Sequence, residues 1–199
     1  MAETGEVKMY TDFKSPYAFL AFAPAYELEE RFDITMAWKP FQLRIKGRGQ
    51  RSVYSEWKVR YSYMDARRNA NRRGGLMLRG PLKVFDTTPA LVGGLFADRH
   101  GRFREYGGLV FEGFFRREFA ADEPDAVAGV LDGMGLSGDE YRTFLEGEGM
   151  AQYEAIQEEA VTDNIFGVPL FVFSGEQFWG HDRLWLLEER LAEAGLARA

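Results

Sequence analysis

A serine–proline pair stands where a strand-like segment gives way to a helical one, and it is the first place where this chain could do chemistry. Apolar and polar residues alternate over residues 7–13, which predicts a strand. Ser15 has a side chain that caps free backbone N–H groups, and Pro16 needs no N–H in a first helical turn. Because a helix start attracts anions, Ser15 could stabilise a thiolate as well as cap the helix. The local sequence leaves both roles open.

The chain contains no cysteine, which excludes structural disulfides, a redox CxxC pair, a thiolate nucleophile and cysteine-based zinc sites. Any sulfur chemistry therefore needs a thiol supplied from outside. A free thiol has a pKa of about 8.5, so only a small fraction is nucleophilic at neutral pH. A hydrogen bond from Ser15 and the helix end would raise that fraction. In that role Ser15 would be a thiolate stabiliser and not a nucleophile.

A second group of candidates lies near the C-terminus. Val168 and Pro169 open a predicted strand over residues 169–173. A cis bond here would leave the Val168 backbone free to pair with an extended peptide, whereas a trans proline is the usual case at a strand start. We predict the cis form. Asp182 is predicted to cap a final helix through Leu191; its carboxylate could equally meet the amino group of a ligand.

The remaining elements place these residues in an α/β fold. A helix over residues 17–31 and a strand over 34–38 complete a strand–helix–strand unit, and residues 174–176 form a hairpin signal before a strand at 177–179. From about Val53 to Asn164 only helices are predicted, over residues 88–97, 110–119, 125–134, 137–145 and 151–162. The order βαβ, helices, ββα is that of a thioredoxin-like fold with a large all-helical insertion.

A single domain of residues 1–199 follows from this order and from the chain length. Residues 1–45 and 165–199 are its predicted thioredoxin-like parts, and residues 46–164 are the helical insertion. The four tryptophans are expected in the core or a pocket wall: Trp38, Trp57, Trp179 and Trp185. His100 is expected in an exposed turn, and neither it nor His181 has a partner at metal-ligand spacing, so no metal is expected.

Three stretches resemble the 2-hydroxychromene-2-carboxylate isomerases, which belong with the kappa-class glutathione transferases and the DsbA-like thioredoxin domains. They are YTDFKSPYAFLA from Tyr10, GVP from Gly167 and FWGHDRL from Phe178. The resemblance covers both ends of the chain, and the insertion only in its helical character. It places Ser15 where redox members carry the CxxC motif. It implies glutathione or another small thiol as cofactor, an aromatic carboxylate as substrate, and a homodimer.

The resemblance also assigns site residues. Ser15 would be catalytic, and the thiol would contact Val168, Pro169, the His181 amide, the Asp182 carboxylate and Lys58. Lys58 belongs to a Lys-x-x-Tyr pattern with Tyr61. The substrate is predicted to meet Tyr17, Tyr61 and Trp179. Residues 46–51 depart from the family pattern, because they lack the asparagine that reaches the thiol or substrate there.

Charge and composition limit the other function classes. Apolar residues make up 46% and charged residues 28%, as in a soluble globular protein. The sequence has no apolar run of about 20 residues and no signal segment. We therefore expect a cytoplasmic protein without membrane contact. The net charge is −6, yet residues 44–83 hold twelve basic and two acidic residues. This segment could attract a carboxylate, pair with acidic surfaces or bind nucleic acid. It lacks a nucleic-acid motif, so we do not expect that partner.

Three hypotheses follow. The first is an isomerase in which a thiolate held by Ser15 adds reversibly to a conjugated aromatic keto acid, with arginines of residues 44–83 holding the carboxylate. The second is a kappa-like transferase that releases the thiol conjugate. The third is a thioredoxin-like module that binds a thiol or peptide without catalysis.

Overall fold

A computed structural model describes residues 5–43, 56–83 and 86–198, and within them one mixed sheet holds the strands that the sequence predicts. The strands are β1 (Gly5–Thr11), β2 (Ile34–Pro40), β3 (Leu170–Phe173) and β4 (Glu176–Trp179), in the order β2-β1-β3-β4. β1 runs parallel to β2 and antiparallel to β3, and β4 is antiparallel to β3. This is the predicted βαβ…ββα arrangement.

Helices occupy the middle of the chain, as predicted, and one further helix lies towards each end. Their bounds are α1 Pro16–Arg31, α2 Glu56–Arg73, α3 Thr88–Arg99, α4 Phe103–Arg116, α5 Pro124–Gly133, α6 Gly138–Glu146, α7 Glu148–Thr162 and α8 Leu184–Glu193. Among the described residues, the stretch from α2 to α7 contains no strand. The insertion is therefore helical wherever the structure describes it.

One helix of the insertion begins earlier than the sequence predicts. We expected it over residues 110–119, because Gly107 and Gly108 suggested a break, but α4 starts at Phe103. A Cβ atom at Gly107 would lie 2.5 Å from Cζ of Phe22 on α1. Gly107 thus serves close helix–helix contact inside α4 and does not interrupt it.

An aromatic cluster joins the insertion to the sheet and to α1. Phe13 lies just after β1, and its ring centroid is 4.9 Å from that of Phe111 on α4; Phe22 on α1 is 5.2 Å from the same ring. Trp38 on β2 stacks on Phe103 at 3.9 Å. Each such pair contributes about 0.5–1.5 kcal/mol beyond area burial. The cluster therefore fixes α1, whose first residues carry the candidate site, against β1 and α4.

The tryptophan prediction is only partly right. Trp38 is a core residue, and its Nε1 donates a hydrogen bond to Thr11 Oγ1 at 2.7 Å. Trp57 and Trp185 are 75% and 57% exposed, so their placement in the core or a pocket wall is wrong. Trp57 lies on α2 and Trp185 on α8, at positions of those helices that face solvent. His100 lies in an exposed turn after α3, as predicted.

One face of β1 is attached to α7 by polar side chains. Lys8 and Tyr10 share one face, and both contact Asp163 Oδ2 at 2.7 Å, just after the end of α7. Lys8 also pairs with Glu159 of α7 at 2.8 Å, and Lys39 of β2 binds the same carboxylate at 2.9 Å. α7 is therefore attached to the sheet by a polar network that includes a fully buried tyrosine ring, Tyr10.

Candidate functional site

Ser15 is the N-cap of α1, and its hydroxyl makes two hydrogen bonds. Its Oγ accepts the Ala18 backbone N–H at 3.2 Å, the capping bond that the sequence predicts. The same oxygen donates its hydrogen to the Val168 carbonyl oxygen, also at 3.2 Å. The residue is 2% exposed. Ser15 thus lies at the positive end of α1 and in direct contact with the turn before β3.

The Val168–Pro169 peptide bond is cis, as predicted. The Pro169 carbonyl oxygen accepts the Gly180 backbone N–H at 2.9 Å, which brings the chain after β4 alongside this turn. Gly180 has φ of 110°, a backbone conformation that residues with a Cβ atom rarely adopt, which favours glycine at this position. The start of α1, the 168–169 turn and the 180–183 turn therefore converge at one end of the strands, where β1 and β4 finish and β3 begins.

A buried carboxylate fixes the turn that leads into Ser15. Asp12 is 0% exposed, and its Oδ1 accepts the Lys14 backbone N–H at 3.2 Å and the Thr87 hydroxyl at 2.7 Å. Its Oδ2 accepts the Leu43 N–H at 2.7 Å and lies 3.1 Å from Lys14 Nζ. Ser15 N–H donates to the Asp12 carbonyl oxygen at 2.9 Å. Asp12 therefore holds together the end of β1, the segment after β2 and the residue before α3.

Tyr17, predicted to meet substrate, is held by both α2 and the 180–183 turn. Its hydroxyl donates to Asp65 Oδ2 on α2 at 2.9 Å, and its ring stacks on His181 at 5.3 Å with an angle of 7° between the planes. Burial raises the pKa of Tyr17, and the Asp65 hydrogen bond and the charges of Asp65, Tyr61 and Asp182 raise it further. Tyr17 stays protonated at neutral pH and acts as a hydrogen-bond donor.

The imidazole of His181 is poised to stay neutral. Burial lowers its pKa below the usual 6.5, and the charge of Arg73 adds to this effect, while Asp182 and Asp65 oppose it. A neutral ring stacked on Tyr17 is a flat, weakly polar surface beside the first turn of α1. The predicted contact of its backbone amide with the thiol stays a prediction.

The predicted helix cap at Asp182 is wrong. Residues His181–Arg183 form a short 3-10 turn, α8 begins at Leu184, and neither N-cap residue makes a side-chain capping bond. The Asp182 side chain is 60% exposed, and its Oδ2 accepts a bond from Arg183 Nη1 at 2.8 Å. Asp182 lies within the 3-10 turn and not at the start of α8, so its carboxylate does not cap that helix. The exposed carboxylate still has oxygen lone pairs that can accept hydrogen bonds from a ligand.

Lys58 and Tyr61 lie on exposed positions of α2, one turn apart. Tyr61 is 54% exposed and close enough to Tyr17 to contribute to the raised pKa of that residue. The role of Lys58 at the thiol stays a prediction. The unusual loop of residues 46–51 lies outside the described residues.

Trp179 is joined by an aromatic residue that the sequence reasoning missed. Its ring meets that of Phe166 edge to face, with centroids 5.0 Å apart, and the two side chains are 47% and 56% exposed. Phe166 precedes Val168 by two residues, and Trp179 precedes Gly180, so this aromatic pair flanks the cis-proline turn. The family motif includes Trp179 but begins after Phe166, and a lone phenylalanine carries no signal of its own.

Two further features bear on the site. Within residues 5–43, 56–83 and 86–198, no group of three His, Asp or Glu side chains is arranged to hold a metal ion. In the same part of the chain, no helix has the length and apolar character needed to cross a membrane.

The sheet order, the cis-proline turn and the capped helix start at Ser15 define a thioredoxin-like protein without the redox cysteines. A family model for the DSBA-like thioredoxin domain matches residues 6–192, and the chain belongs to that family. Within it, the chain is similar to 2-hydroxychromene-2-carboxylate isomerase of Pseudomonas putida, with 25% identity over 193 residues that cover 93% of each protein.

Solved structures agree on the fold. A structure of 2-hydroxychromene-2-carboxylate isomerase superimposes with a TM-score of 0.77 at 24% identity, covering 95% of both chains. A probable DsbA oxidoreductase from Streptomyces coelicolor gives a TM-score of 0.78 at 18% identity, covering 96% of this chain and 89% of that one. At these identities the comparison establishes the fold, including the helical insertion.

Proposed function

We propose that this protein is an enzyme that isomerises a conjugated aromatic keto acid with the help of a bound thiol such as glutathione. The observation that carries the proposal is the Ser15 hydroxyl, which lies at the start of α1 and against the cis-proline turn in a chain without cysteine. The relatives named 2-hydroxychromene-2-carboxylate isomerase, which align with nearly the whole chain, support the choice of reaction.

The residues around Ser15 fit a peptide-like thiol. An anionic sulfur beside Ser15 would gain from the hydroxyl hydrogen and from the positive end of α1. The exposed Asp182 carboxylate suits the cationic amino group of such a ligand, and Lys58 suits one of its carboxylates. Because Ser15 is only 2% exposed, neighbouring side chains must move before a sulfur can reach the hydroxyl.

Binding requires the hydroxyl of Ser15 to change its acceptor. A serine has one hydrogen to donate, and here it goes to the Val168 carbonyl oxygen. When the hydroxyl turns to a thiolate, that carbonyl loses its donor, and an N–H of an extended ligand can replace it. The exchange leaves no buried acceptor unpaired. The Ala18 capping bond survives, because it uses an oxygen lone pair of Ser15.

A bound thiol supplies a nucleophilic sulfur that adds reversibly to a conjugated double bond, which becomes single, rotates and is restored on elimination. Ser15 favours the ionised sulfur and neither gives nor takes a proton. The aromatic pair Phe166–Trp179 offers the substrate ring an apolar face beside the turn. Arg67 and Arg73 donate to the Leu78 and Leu20 carbonyl oxygens, and an arginine of residues 44–83 would hold the substrate carboxylate.

The test is to follow 2-hydroxychromene-2-carboxylate by absorbance, with and without reduced glutathione, in wild-type protein and two serine variants. Ser15→Ala removes the proposed thiolate donor. Ser137→Ala is the matched control. Ser137 caps α6 by accepting the Glu140 backbone N–H at 3.2 Å, as Ser15 accepts the Ala18 N–H at the start of α1, but it belongs to the helical insertion. Mass spectra of the product distinguish isomerisation from release of a thiol conjugate.

We expect turnover only with the thiol, a product of unchanged mass, and a loss of about 100-fold in kcat for Ser15→Ala but not for Ser137→Ala. Turnover without any thiol, or equal rates in the two variants, would contradict the proposal. A product heavier by one glutathione would show that the protein is a glutathione transferase and not an isomerase.

A further inference from the structure

The backbone of Lys14, the residue before Ser15, is held from two sides. Its N–H donates to the buried Asp12 carboxylate at 3.2 Å, and its carbonyl oxygen accepts the Tyr63 hydroxyl of α2 at 2.8 Å. The Tyr63 bond therefore fixes the plane of the peptide that joins Lys14 to Ser15. A rotation of this plane would swing the Ser15 side chain away from the start of α1.

In the part of the chain that the structure describes, three side-chain hydrogen bonds attach α2 to the start of α1, and this contact is the first of them. The second is the Tyr17–Asp65 bond at 2.9 Å, and the third runs from Arg73 Nη1 to the Leu20 carbonyl oxygen at 2.6 Å. Tyr17 and Leu20 are three residues apart on α1 and so lie on neighbouring parts of its surface, while Lys14 precedes the N-cap residue. The insertion helix α2 thus braces the segment that presents Ser15.

We infer that Tyr63 is a positioning residue for the Ser15 hydroxyl, an inference that rests on the proposed function. Tyr63 does not touch the thiol or substrate in this account; it acts through the Lys14 carbonyl. Its ring also lies 6.3 Å from that of Phe115 in the core, which holds the hydroxyl in place. Burial, together with the charge of Asp12, raises the pKa of Tyr63, so the hydroxyl keeps its hydrogen throughout the working pH range.

The variant Tyr63→Phe isolates this role. It keeps the ring against Phe115 and removes only the hydrogen bond to Lys14. Tyr141→Phe is the matched control, since the Tyr141 hydroxyl donates to the Pro89 carbonyl oxygen at 3.0 Å, within the insertion and apart from Ser15. Each variant leaves one backbone carbonyl without its tyrosine donor. A purely structural role for Tyr63 predicts the same outcome in both.

The experiment measures kcat, KM and the pKa of bound glutathione, the last from ultraviolet thiolate absorbance, together with melting temperatures that show both variants to be folded. We expect Tyr63→Phe to lower kcat about tenfold, to leave the KM for substrate within twofold, and to move the thiol pKa towards that of free glutathione. Tyr141→Phe should change none of the three.

Two outcomes overturn the inference in different ways. If wild-type protein lowers the thiol pKa and Tyr63→Phe behaves like Tyr141→Phe, Tyr63 is structural only and the proposed function survives. If wild-type protein leaves the thiol pKa unchanged, the proposed function fails and the positioning role fails with it.

Discussion

The Ser15 hydroxyl and the Val168 carbonyl oxygen lie 3.2 Å apart, although 153 positions of sequence separate the two residues. This bond joins the start of α1 to the cis-proline turn and defines the candidate site. It also sets the condition for thiol binding, because the single Ser15 hydrogen must leave Val168 before it can reach a sulfur.

Asp12 is predicted to be essential for the folded state. Asp12→Asn removes the buried negative charge 3.1 Å from Lys14 Nζ and weakens the bonds accepted from Leu43 N–H and the Thr87 hydroxyl. We expect the free energy of unfolding to fall by about 3–5 kcal/mol. Chemical denaturation of both proteins gives this difference. The double variant Asp12→Asn, Lys14→Met should lose about 1–3 kcal/mol less than the sum of the single variants.

An exposed ion pair serves as the control for Asp12. Asp125 lies 2.8 Å from Arg142, but its side chain is 88% exposed, and Asp125→Asn should cost less than about 1 kcal/mol. If Asp12→Asn costs no more than Asp125→Asn, the buried carboxylate does not hold the 12–15 turn.

The aromatic pair is predicted to set affinity for the substrate ring. Phe166→Ala and Trp179→Ala should each raise the KM for an aromatic substrate by about 3- to 10-fold, since an aromatic contact is worth about 0.5–1.5 kcal/mol. Steady-state kinetics of each variant provides the measurement. Trp185→Ala removes another exposed tryptophan, on α8, and should leave KM unchanged. Equal KM values in all three variants would show that Phe166 and Trp179 do not contact the substrate ring.

Asp163 is predicted to contribute stability that is lost in acid. Burial would raise its pKa, but the hydrogen bonds from Lys8 and Tyr10 and the charges of Lys8 and Lys39 outweigh burial and lower it below 3.8. A carboxyl whose pKa is lower in the folded state stabilises the fold fully above its unfolded pKa, and this contribution disappears as the pH falls through the folded pKa. Thermal melts of wild type and Asp163→Asn across the acid range test the sign.

We expect Asp163→Asn to be about 1–2 kcal/mol less stable at neutral pH, because the buried Tyr10 hydroxyl loses its charged acceptor, and the two melting curves should converge below about pH 4. Lys8→Met should move the acid transition of the wild type to higher pH. If the melting temperatures of wild type and Asp163→Asn differ by the same amount at every pH, ionisation of Asp163 does not contribute to stability.

Local sequence signals were sufficient to predict the strand, helix start and hairpin that carry the candidate site. Alternation predicted β1, and the Ser15–Pro16 pair predicted the start of α1, because both signals depend on residues next to each other in the chain. The cis form at Val168 and the hairpin after it were predicted from their local context and the family resemblance.

The missed features depend on contacts between distant segments. Tyr63 and Asp65 lie within five residues of Tyr61, yet their bonds to Lys14 and Tyr17 follow from the way α2 lies on α1, which periodicity does not specify. The pattern of an acidic residue before an apolar run predicts a cap at Asp182. In the structure a 3-10 turn that follows Gly180 includes Asp182 and delays the start of α8 to Leu184.

The most direct test of the account is the pKa of glutathione bound to the protein, measured by thiolate absorbance in wild type, Ser15→Ala and Ser137→Ala. The chain has no cysteine, so the thiolate signal comes only from the ligand. We predict that the bound thiol ionises below its ordinary pKa of about 8.5 in wild type and Ser137→Ala, and that Ser15→Ala abolishes most of the shift. A bound thiol that titrates like free glutathione in the wild type would show that Ser15 and the start of α1 do not stabilise a thiolate.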